Sequence, residues 1–235
     1  MRTKKSIRGL EFELVLSDPF VEQFLRYKNL VELADFGAGT NDEIVMSLLD
    51  HAPQYLDEKQ VIIYLVDRNP SWLSILSQKL PKNIPEIMII QADLEQLTTE
   101  ARIIESTNRM CSQWSRIPTI LTLMQQYRFP PTCMDLVVFN RDMMGWLQFF
   151  KANTDRVLHE TYKILKRDGL LVITQPGLKC HHPHDLLEKY GFTFVKRGVL
   201  RLDTGIFIES PDPMFDDPEL REYIYLVYQT QSSNR

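Results

Sequence analysis

Three carboxylates in this chain stand at or just beyond the ends of short apolar runs. They are Asp35 in the run 30–36, Asp67 after 61–66 and Asp93 after 87–90. A carboxylate offers two acceptor oxygens and no donor, so it suits hydrogen-bond donors of a ligand. Asn140 and Thr174 end two further runs, at 135–140 and 170–174. Between the first two acids lies Gly37-Ala38-Gly39, a loop of small residues that lets the backbone pass close to a ligand. A dinucleotide-binding loop would need Gly at position 42 as well, but Asp42 stands there. A carboxylate facing a pyrophosphate is unfavourable, so the spacing disfavours nicotinamide dinucleotides and tolerates a ligand that carries positive charge.

The elements that must hold these residues alternate. Leu30 to Phe36 predicts a strand. A helix follows, with Thr40 and Glu43 spaced as a capping box and Ile44, Val45, Leu48, Leu49 and Ala52 as its apolar stripe. Val61 to Val66 is rich in β-branched residues, as a strand covered on both faces requires. Pro70-Ser71 opens a helix with Trp72, Ile75, Leu76 and Leu80 facing inward, and Ile87 to Ile90 is the third strand. Residues 95–130 are expected to be a helical insertion, with Ile103, Ile104, Met110, Cys111, Trp114 and Ile117 along one helix. Asp135 to Asn140 is the fourth strand, and a helix near 153–167 stops at Gly169. Strands follow at 170–174, from Phe192 to Val195 or as far as Leu200, and at 222–229, with a short helix from His184 to Tyr190 between the first two.

Repeated strand–helix units predict an α/β fold with a doubly wound, Rossmann-like sheet of seven mostly parallel strands. The strand–strand ending predicts a terminal antiparallel hairpin. Residues 1–30, with Phe20, Val21, Phe24 and Leu25 at helical spacing after Asp18-Pro19, are expected to form an N-terminal helical extension to a domain at 31–230. In such a sheet, ligands lie beyond the carboxyl ends of the strands, where the acids, Asn140 and Thr174 stand.

This arrangement resembles the class I S-adenosylmethionine-dependent methyltransferases over roughly residues 30–230. The match rests on Asp35-Phe36-Gly37-Ala38-Gly39, Asp67 and Asp93 in that order after successive strands. The resemblance implies S-adenosyl-L-methionine as cofactor. It implies Asp35 near the methionine amino group, Gly37, Ala38 and Gly39 along the amino-acid moiety, Asp67 on the ribose hydroxyls and Asp93 on the adenine amino group. It places Asn140 beside the transferred methyl and the substrate. Two departures stand out. Asn41 replaces a frequent third glycine, and Asn140-Arg141-Asp142-Met143 lacks the Pro-Pro-aromatic sequence of enzymes that methylate nucleobase amino groups.

Catalytic candidates are Asn140, Asp142 and His184, with His182 a further possible base. Cys180-His181-His182-Pro183-His184 has zinc-ligand residue types, but adjacent residues rarely converge on one ion and no second cluster accompanies it. No metal site is expected. Arg141, Asp142 and Trp146 could shape a pocket, although Trp146, Leu147, Phe149 and Phe150 equally suit a core.

The chain has 235 residues and a net charge of -4, enough length for one large domain and no global basic field. The acceptor is therefore expected to be a small molecule. RNA or protein acceptors, or a methyltransferase-like module that binds without catalysis, are the alternatives. Cys111, Cys133 and Cys180 are odd in number and dispersed, as in a reducing cytoplasm. The basic start at residues 1–8 lacks the apolar run of a signal peptide, and no stretch has the apolar length of a membrane span.

Overall fold

The computed structural model describes residues 11–51, 60–80, 87–100, 102–106, 128–140, 147, 151–176, 184–201, 207–210 and 222–231. Helices α1 (Glu11–Leu16) and α2 (Pro19–Arg26) precede strand β1 (Leu30–Phe36). Then follow α3 (Glu43–His51), β2 (Gln60–Asp67), α4 (Pro70–Lys79), β3 (Ile87–Gln91) and β4 (Arg102–Ser106). The second half contains β5 (Met134–Phe139), α5 (Thr154–Ile164), β6 (Leu165–Pro176), α6 (His184–Lys189), β7 (Phe192–Arg201), β8 (Phe207–Ser210) and β9 (Glu222–Thr230).

Among the described residues nine strands form one sheet in the order β4-β3-β2-β1-β5-β6-β9-β7-β8. Its seven inner strands are those predicted. β1, β2, β3, β5 and β6 pair in parallel, while β9 runs antiparallel to both β6 and β7. The chain order reverses between β1 and β5, which opens a crevice beyond their carboxyl ends.

Successive side chains of a strand point to opposite faces, so the buried runs divide into two cores. One face carries Ala34, Phe36, Tyr64, Val66 and Phe139, covered by Val157 and Leu158 of α5 and Leu187 of α6. The other carries Leu33, Leu65, Val138 and Val172, covered by α3, by Leu73 and Leu76 of α4, and by Phe12, Val15, Val21 and Leu25 of α1 and α2. The two N-terminal helices are thus one of the layers packed on the sheet. Asp18 caps α2, its Oδ1 accepting from the N–H groups of Phe20 and Val21, and Pro19 occupies the first helical turn without wasting a donor.

Several local expectations change. Helix α3 starts at Glu43 without a Thr40 capping box, because Asn41 Oδ1 accepts from Glu43 N–H at 3.1 Å. Of the predicted stripe of the following helix, Leu76 and Leu80 are buried as expected, whereas Trp72 and Ile75 are 41% and 46% exposed and Leu73 is buried in their place. Pro70 opens α4 as predicted, with Asn69 as its N-cap, but the first turn sets Leu73 and not Trp72 against the sheet. Ile103 and Ile104 belong to β4, an antiparallel edge strand on β3, and not to an insertion helix; most of the remaining insertion, 107–127, lies outside the described residues. Helix α5 ends at Ile164. Gly169 lies inside β6, where the register with β5 shifts, and does not cap a helix. A Cβ at 169 would lie 2.8 Å from the Lys166 carbonyl oxygen, so the close backbone approach requires glycine. β8 was not anticipated.

Candidate functional site

The loop after β1 is held by its neighbour β2. The N–H groups of Gly37 and Ala38 both donate to the Val66 carbonyl, at 2.8 and 3.1 Å. Gly37 and Gly39 have φ of 73° and 57°, the left-handed region that favours glycine. Gly39 N–H then donates to Asp67 Oδ2 at 3.0 Å, and Asp67 Oδ1 accepts from Asn69 N–H at 2.8 Å. One carboxylate therefore ties the glycine loop to the turn that starts α4. Asp67 is buried, and burial pushes its carboxyl above the ordinary aspartate value, against the lowering effect of the N–H donors of Asn69 and Gly39. The Asp67 carbonyl accepts from Ala92 N–H at 3.1 Å, which joins the end of β3 to the same corner.

These residues line a cleft of about 490 Å³ beyond the strand ends. It contains all seven residues expected to bind a cofactor: Asp35, Gly37, Ala38, Gly39, Asp67, Asp93 and Asn140. Asp93 is exposed there, its Oδ1 accepting from Glu95 N–H at 2.9 Å. Asn140 is buried, and its Oδ1 accepts the Thr174 hydroxyl at 2.7 Å. Leu94, Leu147, Ala152 and Val157 supply apolar wall, and Trp72 lies at the first turn of α4.

The expected bases fare differently. Asp142 lies outside the described residues, as do Arg141, Trp146, Cys180, His181 and His182. His184 is not among the cleft-lining residues. Its Nδ1 lies 3.3 Å from the Tyr228 hydroxyl, its Nε2 is 3.2 Å from Glu188, and its ring meets Phe194 edge-on. It packs against β7 and β9. Sequence reasoning had placed Trp72 in the core and passed over Arg68 beside Asp67. The Asn69-Pro70 helix start was the available signal, since it sets Trp72 in an exposed first turn next to the glycine loop.

No protein-family model matches the chain, and comparison with curated proteins finds no match. Solved structures do resemble it. A protein assigned as a sarcosine dimethylglycine methyltransferase from Galdieria sulphuraria aligns over 94% of this chain and 86% of its own, at 11% identity and TM-score 0.55. A TehB-like S-adenosylmethionine-dependent methyltransferase from Corynebacterium glutamicum covers 97% and 90%, at 16% identity and TM-score 0.50. The [4+2]-cyclase SpnF covers 98% and 84%, at 11% identity and TM-score 0.56. The fold is that of the class I S-adenosylmethionine-dependent methyltransferases. The presence of a cyclase among these structures shows that the fold by itself does not fix the reaction.

Proposed function

We propose that this chain binds S-adenosyl-L-methionine and transfers its methyl group to a small molecule. The observation that carries the proposal is Asp67: a buried carboxylate, tied to the Gly39 N–H, opening on the same cleft as Gly37 and Ala38. Such a group can take both hydroxyls of a ribose, having four acceptor lone pairs and no donor. Asp35 suits the ammonium of the methionine moiety, the left-handed Gly37 and Gly39 let the chain run beside it, and Asp93 with the apolar Leu94 suits adenine.

When bound, the cofactor supplies a methyl group already activated by its sulfonium. The tasks left to the chain are alignment and exclusion of water, for which Asn140 and the wall of Leu147, Ala152 and Val157 stand on the cleft. Asp142, three residues beyond β5, remains our candidate for accepting an acceptor proton. The small-molecule preference has two supports. The cleft volume lies in the range of small-ligand sites. Its lining also carries Asp35, Asp67, Asp93 and Glu95 against Arg68, a balance that repels a phosphate backbone.

Calorimetry with S-adenosylmethionine tests the binding step. Wild type is expected to bind, and Asp67→Ala to lose at least about tenfold in affinity, as the loss of charge-assisted hydrogen bonds dictates. Equal binding by both proteins sinks the assignment. Transfer of a labelled methyl group into a fractionated small-molecule extract tests catalysis, and label found only in RNA or protein would overturn the acceptor class.

A further inference from the structure

Asn140 is 7% exposed, and the two polar atoms of its side chain have different surroundings. Oδ1 accepts the Thr174 hydroxyl at 2.7 Å, whereas among the described residues nothing accepts from Nδ2. The two residues are neighbours by construction. The β5–β6 register pairs Phe139 with Ile173, so the next step sets Asn140 beside Thr174. Thr174 is fully buried two residues before the end of β6, and it also sits opposite Tyr225 of β9, on a strand held from both sides. With Oδ1 occupied by the hydroxyl, the amide presents its N–H edge as a buried donor on a residue that lines the cleft.

A buried donor without an acceptor is costly, and a ligand oxygen removes that cost. An ammonium, a hydroxyl hydrogen or a sulfonium brought to the same edge would meet like polarity. Asp35, one strand away and lining the same cleft, suits groups of positive charge. We infer that Asn140 is a fixed hydrogen-bond donor for a carbonyl or carboxylate oxygen of the bound ligand, and that Thr174 is the positioning residue that orients it. This rests on the cofactor-binding proposal above. The oxygen has two possible sources, the methionine carboxylate of the cofactor or a carbonyl or carboxylate on the methyl acceptor.

Three variants test it on the full chain. Asn140→Asp exchanges the donor for an acceptor of the same shape. Thr174→Val removes the hydroxyl at constant volume, and Thr174→Ser keeps it. The first arm is calorimetry with S-adenosylhomocysteine. If the cofactor supplies the oxygen, Asn140→Asp weakens binding by at least about tenfold, Thr174→Val by about fivefold, and Thr174→Ser stays within about twofold of wild type. The second arm uses protein saturated with S-adenosylhomocysteine and follows the Asn140 side-chain amide by nitrogen-edited NMR, with acetate, acetamide and methylammonium as probes. If the acceptor supplies the oxygen, acetate and acetamide shift that resonance in wild type and Thr174→Ser but not in Thr174→Val, and methylammonium leaves it unmoved.

Unchanged or tighter binding by Asn140→Asp, together with an amide resonance that is silent or answers only to methylammonium, overturns the inference while leaving cofactor binding intact. A wild-type chain that does not bind S-adenosylhomocysteine overturns both. Thermal melts of each variant separate reorientation from misfolding, and Thr174→Ser carries the comparison through the retained hydroxyl.

Discussion

Asp67 does two jobs that pull its charge in opposite directions. Burial favours the protonated form, while the N–H donors of Gly39 and Asn69 favour the carboxylate. Burial prevails, so the folded-state pKa lies above the ordinary value and protonation on acidification begins sooner than at an exposed aspartate. In the proposed contact with ribose hydroxyls, only the ionised form keeps the lone pairs left over by Gly39 and Asn69 free to accept. Affinity for S-adenosylmethionine is therefore expected to be flat above the raised pKa and to fall as pH drops through it. Calorimetry from neutral pH down to the ordinary aspartate range should show the decline in wild type and none in Asp67→Asn, which is weak throughout. A wild-type affinity constant down to the ordinary aspartate range would show that burial does not govern this carboxylate. The acids and glycines of the cleft were legible because each follows an apolar run at a fixed place in a βα unit. His184 was not, because its partners Tyr228, Glu188 and Phe194 come largely from strands that only the folded topology brings near. Thr174 was visible as a strand end, but its role depends on a cross-strand register that one strand cannot reveal.

At the scale of elements, Asp18 fastens the N-terminal helices to the far half of the sheet. Its Oδ1 caps α2, while its Oδ2 accepts from the Tyr225 hydroxyl of β9 and pairs with Lys196 of β7 at 2.8 Å. Tyr225 fits because residue 198, opposite it in β7, has no side chain. A methyl group there would overlap the tyrosine ring, which is fully buried and anchored through its hydroxyl. Gly198→Ala is therefore expected to displace Tyr225 and loosen the Asp18 contact. Overpacking of about 1–3 kcal/mol in a chain of this length lowers the melting temperature by roughly 2–10 °C. Circular dichroism melts check this, and an unchanged transition would show that the ring is not confined. Seven strands were legible from hydrophobic runs because parallel strands buried on both faces read as continuous apolar segments. β4 escaped because an edge strand needs only a weak pattern, and Ile103-Ile104 fits either period. In α4 the inward places of Leu76 and Leu80 were legible, but Trp72 was misread as inward because it is large and apolar, although it stands in the exposed first turn.

Across the whole molecule, the cleft end of the sheet is matched at the opposite end by a buried charge cluster. Lys166, at the start of β6, lies 2.7 Å from Glu32 of β1 and 2.8 Å from Asp135 of β5, and Lys28 reaches Asp135 at 3.1 Å. Asp135 also accepts from the Glu32 N–H at 3.0 Å, so three adjacent strands share one node below the cleft. The N-terminal helices belong to the same whole. Phe12, Val15, Val21 and Leu25 pack in the core with Val31 and Leu33, a partnership that helical periodicity alone could not disclose. Burial works to lower the Lys166 pKa, but its bonds to Asp135 and Glu32 carry it above the ordinary lysine value. Burial raises Glu32, against the pull of Lys166. Lys166→Met leaves two neighbouring carboxylates without their shared cation. Removing one partner of a buried pair costs about 3–5 kcal/mol, and partial exposure of the ammonium brings this toward about 2. The deficit should depend on pH on both sides. A lysine raised on folding contributes stability that is present below its unfolded pKa and lost as pH rises through the folded one, so the gap to wild type narrows in alkali. As pH falls through the raised pKa of Glu32, the orphaned carboxylate takes up a proton and the repulsion in the variant relaxes, so the gap narrows in acid as well. Urea denaturation of both proteins across the pH range is expected to show the widest separation near neutrality. A separation that is constant with pH would mean that the lysine stem, and not its charge, holds the three strands together.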